Sequence, residues 1–241
     1  MTASQPTPPG TGQPVDVRPM LVVHQALLRE FHMTGWAVAS ALPWDHERAI
    51  VLNGHLIFLL DLLHHHHAGE DKLLWPKLLS RAPADTVPIV DLMQAQHERL
   101  ATLMTQCRAA AGDWQADAAQ ADAAPAARDQ LAGLRDRLAG LLIELHERLA
   151  EHLAYEERDV LPIAAVHLSE PEWRQFGEEA VQAIPRSQLP LVFGMFAREG
   201  DPEVLRIMLQ EAPLLPRMLM PKLGPRAYAK HARQIYGPVQ P

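Results

Sequence analysis

A chain of 241 residues can bury one large core or two small ones, and 48% hydrophobic with 21% charged residues is a globular composition, neither disordered nor membrane-embedded. Its 22 Lys and Arg stand against 29 Asp and Glu, a formal charge of −7 without a basic block, which removes nucleic acid as a partner. A single cysteine, Cys107, excludes an internal disulfide and any Cys-rich zinc or iron–sulfur site, and fits a reducing cytoplasm.

Residues 1–16, rich in Pro, Gly, Thr and Gln, lack the basic and apolar regions of a signal peptide and are expected to form a flexible tail. Apolar residues then recur at three- and four-residue steps in Leu- and Ala-rich, Gly-poor text, so the chain reads as all-α. A first helix is expected over 16–41, with Asp16 as N-cap and Pro19 in its first turn, ended by Pro43. The second runs over 45–79 from the N-cap Asp45, and Pro76 should kink it or start a short separate turn. Its apolar stretch 49–63 is interrupted by Asn53, His55 and Asp61 and is too short to span a bilayer, so no membrane is expected as a partner. A loop over 80–85 precedes the third helix, 86–111, and a low-complexity connection, 112–125, precedes the fourth, 126–159, which stops near Pro162. From Ser169 onward eight prolines, from Pro171 to Pro225, should break the chain into short helices, one opening with the capping box Ser169-x-x-Glu172. The expected architecture is an up-and-down four-helix bundle over 17–165. A C-terminal extension of short helices over 166–241 packs on it and offers a surface for a protein partner.

The informative excess is histidine, 13 in all. Residues four apart on a helix share a face, about 6 Å apart along the axis, so His66 with Glu70 and His152 with Glu156 can each address one ion or bridge two. The stripe Leu131, Leu134, Leu138, Leu141, Leu145 and Leu149 continues directly into His152 and Glu156, which therefore point into the core. His24 lies on the stripe of Met20, Leu21, Leu27, Leu28 and Phe31, and His97 on the edge of that of Met93, Leu100 and Met104. In an up-and-down bundle, residues at one height are equidistant from the loop between them. The midpoints of His24/His66, His66/His97 and His97/His152 fall at position 45, at 81–82 and at 124–125, all in expected turns.

Burying unpartnered imidazoles and carboxylates costs several kcal/mol per charge, so the choice lies between a metal and a closed polar network. Four imidazoles and two carboxylates suit a borderline metal such as iron, and carboxylates from separate helices can bridge two ions about 3.5 Å apart. Six protein donors cannot fill two octahedra, which leaves oxo, hydroxo or water bridges and a vacant position where a small oxidant can bind. Among the other histidines, His64, His65 and His146 read as surface residues. His55, about 16 Å from His66 along its helix, reads as a hydrogen-bonded core residue. Tyr155 reads as a packing residue, and Asp71 and Glu157 as acceptors that orient ligating imidazoles.

With these residues the sequence resembles the hemerythrin-like (HHE cation-binding) family. The resemblance rests on His24, on His66-His67-Ala68-Gly69-Glu70-Asp71-Lys72-Leu73-Leu74-Trp75-Pro76, on His97, and on His152-x-x-x-Glu156-Glu157 ending in Leu161-Pro162. It implies a non-haem di-iron centre with His24, His66, Glu70, His97, His152 and Glu156 as ligands, Glu70 and Glu156 being the bridges. Oxygen-carrying hemerythrins place two histidines four apart on the third helix, whereas the positions four before and after His97 are Met93 and Ala101. His67 is a candidate for the missing donor. That departure points away from a reversible oxygen store. It favours a cytoplasmic protein that binds, senses or reduces O2, peroxide or NO, with or without turnover as an enzyme. An iron or redox sensor acting through a partner, and a di-iron oxidase or oxygenase on an organic substrate, are the alternatives.

Overall fold

The computed structural model describes residues 14–120, 126–210 and 212–237, and among these every regular element is helical. Helix α1 (Arg18–Ala39) starts two residues later than expected. Asp16 sits just outside it and binds the backbone N–H of Arg18 at 3.0 Å and its guanidinium at 2.7 Å, so the acid still faces the positive helix end. The α2 start (His46–Gly69) is as expected: the Asp45 carboxylate accepts the N–H of Arg48 at 2.9 Å. Pro76 makes itself felt one turn earlier. The chain widens into a π-helical turn (Glu70–Leu74) before α3 (Trp75–Arg81). Helix α4 (Val87–Ala118) is followed by α5 (Ala126–Tyr155), a second π turn (Glu156–Val160) and α6 (Leu161–His167). Four further helices follow among the described residues: α7 (Glu170–Gln182), α8 (Leu189–Phe196), α9 (Pro202–Met208) and α10 (Leu214–Tyr236). The Ser169/Glu172 capping box is present at the start of α7, with Glu172 accepting the N–H of Ser169 at 3.1 Å.

The four long helices α1, α2, α4 and α5 each pack on two of the others: α1 on α2 and α5, and α4 on α2 and α5. Their apolar stripes form two separate cores. The larger holds Leu27, Phe31, Leu59, Leu63, Leu100, Leu145 and Leu149, and the smaller holds Val15, Leu74, Trp75, Met93 and Val160. Each buried aliphatic side chain contributes about 1.5–3 kcal/mol. Three helical runs pass from one core to the other near a histidine: Leu63 to Leu74 across His66, Met93 to Leu100 across His97, and Leu153 to Val160 just after His152. The packing therefore leaves a polar layer between two apolar plugs.

Three expectations need correction. Residues 1–13 of the expected tail lie outside the described residues, while Val15, placed in it, is buried and donates its N–H to the carbonyl of Ala165 at 2.9 Å. Helix α4 runs seven residues past 111, through Gly112, because Trp114 buries its ring and donates its indole N–H to the Pro43 carbonyl at 2.8 Å. The rest of the expected low-complexity connection, 121–125, lies outside the described residues, and the 124–125 midpoint with it. Helix α10 spans 23 residues despite Pro221 and Pro225 inside it. Each proline forfeits one backbone hydrogen bond. Tertiary contacts offset this: Tyr228, Ala232, Ile235 and Tyr236 enter the larger core, and α8 approaches so closely that a Cβ on Gly194 would stand 2.1 Å from the Gly224 oxygen.

A buried carboxylate joins α10 to the bundle. Glu30 of α1 accepts from Arg29 Nε at 3.0 Å, from the Tyr228 hydroxyl at 2.7 Å and from the Tyr236 hydroxyl at 2.6 Å. Because Tyr236 gives its proton to Glu30, His55 Nε2–H donates to the Tyr236 oxygen at 2.8 Å, which makes His55 the hydrogen-bonded core residue expected.

Candidate metal centre

Between the two cores the structure brings together all six residues singled out from the sequence and adds His67. Two groups of four have donor atoms within 4.8 Å of one another: His24, His66, Glu70 and Glu156, and His67, Glu70, His97 and His152. Glu70 belongs to both. Its Oε1 lies 3.2 Å from His66 Nε2 and its Oε2 3.3 Å from His97 Nε2, so one carboxylate spans the two groups. Glu156 belongs to the first group, with Oε2 3.4 Å from His24 Nε2, and stands 3.9 Å from His152 Nε2 of the second.

The helical repeat explains the division. His66 and His67 are successive on α2, about 100° apart, and so serve different groups. In the π turns more residues occupy each turn, and successive side chains diverge less. Glu70 and Asp71, and likewise Glu156 and Glu157, can then both face inward. The Glu70 carbonyl accepts the N–H of Trp75, and that of Glu156 accepts the N–H of Leu161, each five residues on. Pro76 and Pro162 follow one residue later; a ring without an N–H that crowds the preceding turn favours this wider register.

The outward nitrogens fix the inward ones. His24 Nδ1–H donates to Glu157 Oε1 at 2.9 Å, His97 Nδ1–H to Asp71 Oδ1 at 2.8 Å, and His152 Nδ1–H to Gln96 Oε1 at 2.9 Å. Asp71 and Glu157 thus play the orienting part expected of them. Gln96 was not legible, since a lone Gln beside a His on a helix carries no signal. In their neutral forms these three imidazoles aim lone pairs inward, and His97 and His152 point theirs at each other across 3.3 Å.

Among the described residues, much of the cluster lacks a partner. Nε2 of His24, His66 and His67 and all four oxygens of Glu70 and Glu156 are buried without a hydrogen-bond partner. Seven converging polar atoms without a partner favour a cation among them, a proton or a metal ion, and the imidazole and carboxylate donor set fits a metal. Burial drives the Glu70 and Glu156 carboxyls up from their ordinary range, and Glu70 pushes Glu156 further. It also drives His66, His67 and His152 down, helped by neighbouring imidazoles. For His97 burial acts downward too, but the Glu70 and Asp71 carboxylates outweigh it and the net shift is upward. His64 and His65 are exposed, His146 is half-buried, and Tyr155 packs on the smaller core.

A family model described as Hemerythrin HHE cation binding domain matches residues 16–164. No curated protein and no solved structure matches the chain.

Proposed function

Because the chain belongs to the hemerythrin HHE cation-binding family, we propose that its buried cluster holds two iron ions and that the protein binds, senses or reduces O2, peroxide or NO. The observation that carries this reading is the pair of four-residue groups sharing Glu70. His24, His66, Glu70 and Glu156 would hold one ion, and His67, Glu70, His97 and His152 the other. Iron held by these residues would supply electrons to a small oxidant. The chain supplies the rest. Depressed imidazole pKa values keep His66, His67 and His152 unprotonated as donors. Glu157, Asp71 and Gln96 hold the rings of His24, His97 and His152 in one tautomer, and the two apolar plugs limit access by water.

The same reading places the protein in the cytoplasm, with residues 17–165 as the iron-holding unit and 166–241 as an extension. Two cavities of about 590 and 530 Å³ lie elsewhere and are lined by no residue of the cluster. A sensor reading draws support from α7, which has no buried residue. It crosses the first π turn through the Lys72–Glu179 pair at 2.6 Å and meets the end of α3 through Arg81–Glu172 at 2.7 Å. Such a segment is the first to loosen if the cluster loses its ions.

The test is anaerobic loading of untagged protein with ferrous iron, counting metal per chain, then exposure to each oxidant. We expect two irons per chain, falling in His67→Ala, and a ligand-to-metal charge-transfer band with peroxide, O2 or NO. One iron or none in the unaltered chain overturns the reading.

A further inference from the structure

An indole of the smaller core stands just past the first π turn, beside the cluster. Trp75 is fully buried, and its Nε1–H donates to Asp71 Oδ1 at 2.8 Å. That same oxygen accepts the Nδ1–H of His97 at 2.8 Å, and the two rings lie 5.9 Å apart between centroids. The other fully buried tryptophan, Trp114, ends on a backbone carbonyl, which satisfies the N–H and can do nothing more. Trp75 ends on a carboxylate that touches both the cluster and solvent, since the Asp71 side chain is 46% exposed.

Resting on the reading of the cluster as a two-iron centre, we propose that Trp75 is a one-electron donor to it, connected through Asp71 and His97. Cleaving the O–O bond of a peroxide consumes two electrons. When the pair of ions holds only one ferrous equivalent, Trp75 gives the second. The electron passes through the Asp71–His97 hydrogen bonds to the metal, and the indole N–H proton moves to Asp71 Oδ1 and on to water. The peroxide, taking one proton from solvent, ends as water and hydroxide. Trp75 is left as a neutral radical, which an external one-electron reductant and a proton restore. Tyr155 adjoins Glu156 but is a poorer donor, because the Arg158 guanidinium sits 4.6 Å from its ring centroid and opposes positive charge there.

The experiment uses the full chain loaded with iron, poised at one reducing equivalent per iron pair, mixed with hydrogen peroxide and freeze-quenched for electron paramagnetic resonance. A radical approaching one per pair is expected, with lines that narrow when tryptophan rings are deuterated and do not change when tyrosine rings are. Trp75→Phe should abolish it at unchanged iron content. Asp71→Asn keeps an acceptor oxygen without a base and should cut its yield several-fold; this variant and the isotope result decide the matter if Trp75→Phe does not fold. A radical that narrows with tyrosine, persists in Trp75→Phe, or fails to form while peroxide is consumed overturns the relay and leaves the two-iron reading standing. Failure of the chain to bind iron overturns both.

Discussion

Each orphaned acceptor in the cluster sets a proton against a metal ion. Without metal, burial holds protons on Glu70 and Glu156 and keeps them off His66, His67 and His152. Imidazoles with depressed values contribute stability that is complete above their ordinary 6.5 and lost as the pH falls toward the folded value, about 3 for His152 and His55. Carboxyls with raised values contribute stability that is complete below their ordinary 4.5 and lost as the pH climbs through the folded value, about 8 for Glu156. Between 4.5 and 6.5 the depressed histidines, His55, His66, His67, His146, His152 and His231, outweigh the two carboxyls; above 6.5 only the carboxyl loss remains, joined by that of His97. The metal-free protein should therefore be most stable near pH 6.5 and lose on the order of 1 kcal/mol or more by pH 8. Ferrous iron, which holds the carboxylates as anions, should abolish that alkaline loss. Urea unfolding across pH, with chelator and with iron, measures both curves. A flat metal-free profile would show that the carboxyls are not carrying protons there.

At the level of elements, two π turns followed by Pro76 and Pro162 let neighbouring acids serve different tasks: Glu70 and Glu156 face the cluster, while Asp71 and Glu157 face ring nitrogens. Replacing Pro162 with Ala restores an N–H that can bond the Arg158 carbonyl and draws the segment back toward α-helical register. Glu157 then turns away from His24. Iron affinity should fall about 10–100-fold, with helix content and fold retained. Chelator competition alongside circular dichroism checks this, and undiminished affinity would mean that the turn does not depend on the proline.

For the whole molecule, the third buried carboxylate matters as much as the first two. Glu30, fully buried, receives donors from α1 and α10 and so ties the C-terminal helix to the bundle. Tyr236→Phe keeps the ring but leaves Glu30 Oε2 without its hydroxyl donor, and should cost about 1–3 kcal/mol in denaturant unfolding. Iron content should not change, since Tyr236 belongs to neither donor group. A loss of iron in this variant would mean that α10 also shapes the centre.

Periodicity alone determined that the chain is helical and that His24, His66, Glu70, His97, His152 and Glu156 lie on inward faces, because apolar stripes at three- and four-residue steps report directly which side of a helix is buried. Only tertiary structure decided what local pattern leaves open. His67 joined the cluster because the groups its neighbours form lie on two sides of α2, and Gln96 because α5 brings His152 against it. Trp114 carried α4 past its expected end, and contacts with α8 and the larger core carried α10 through two prolines. In each case the deciding energy comes from a partner distant in sequence, and a single chain's periodicity records burial without recording what lies on the other side.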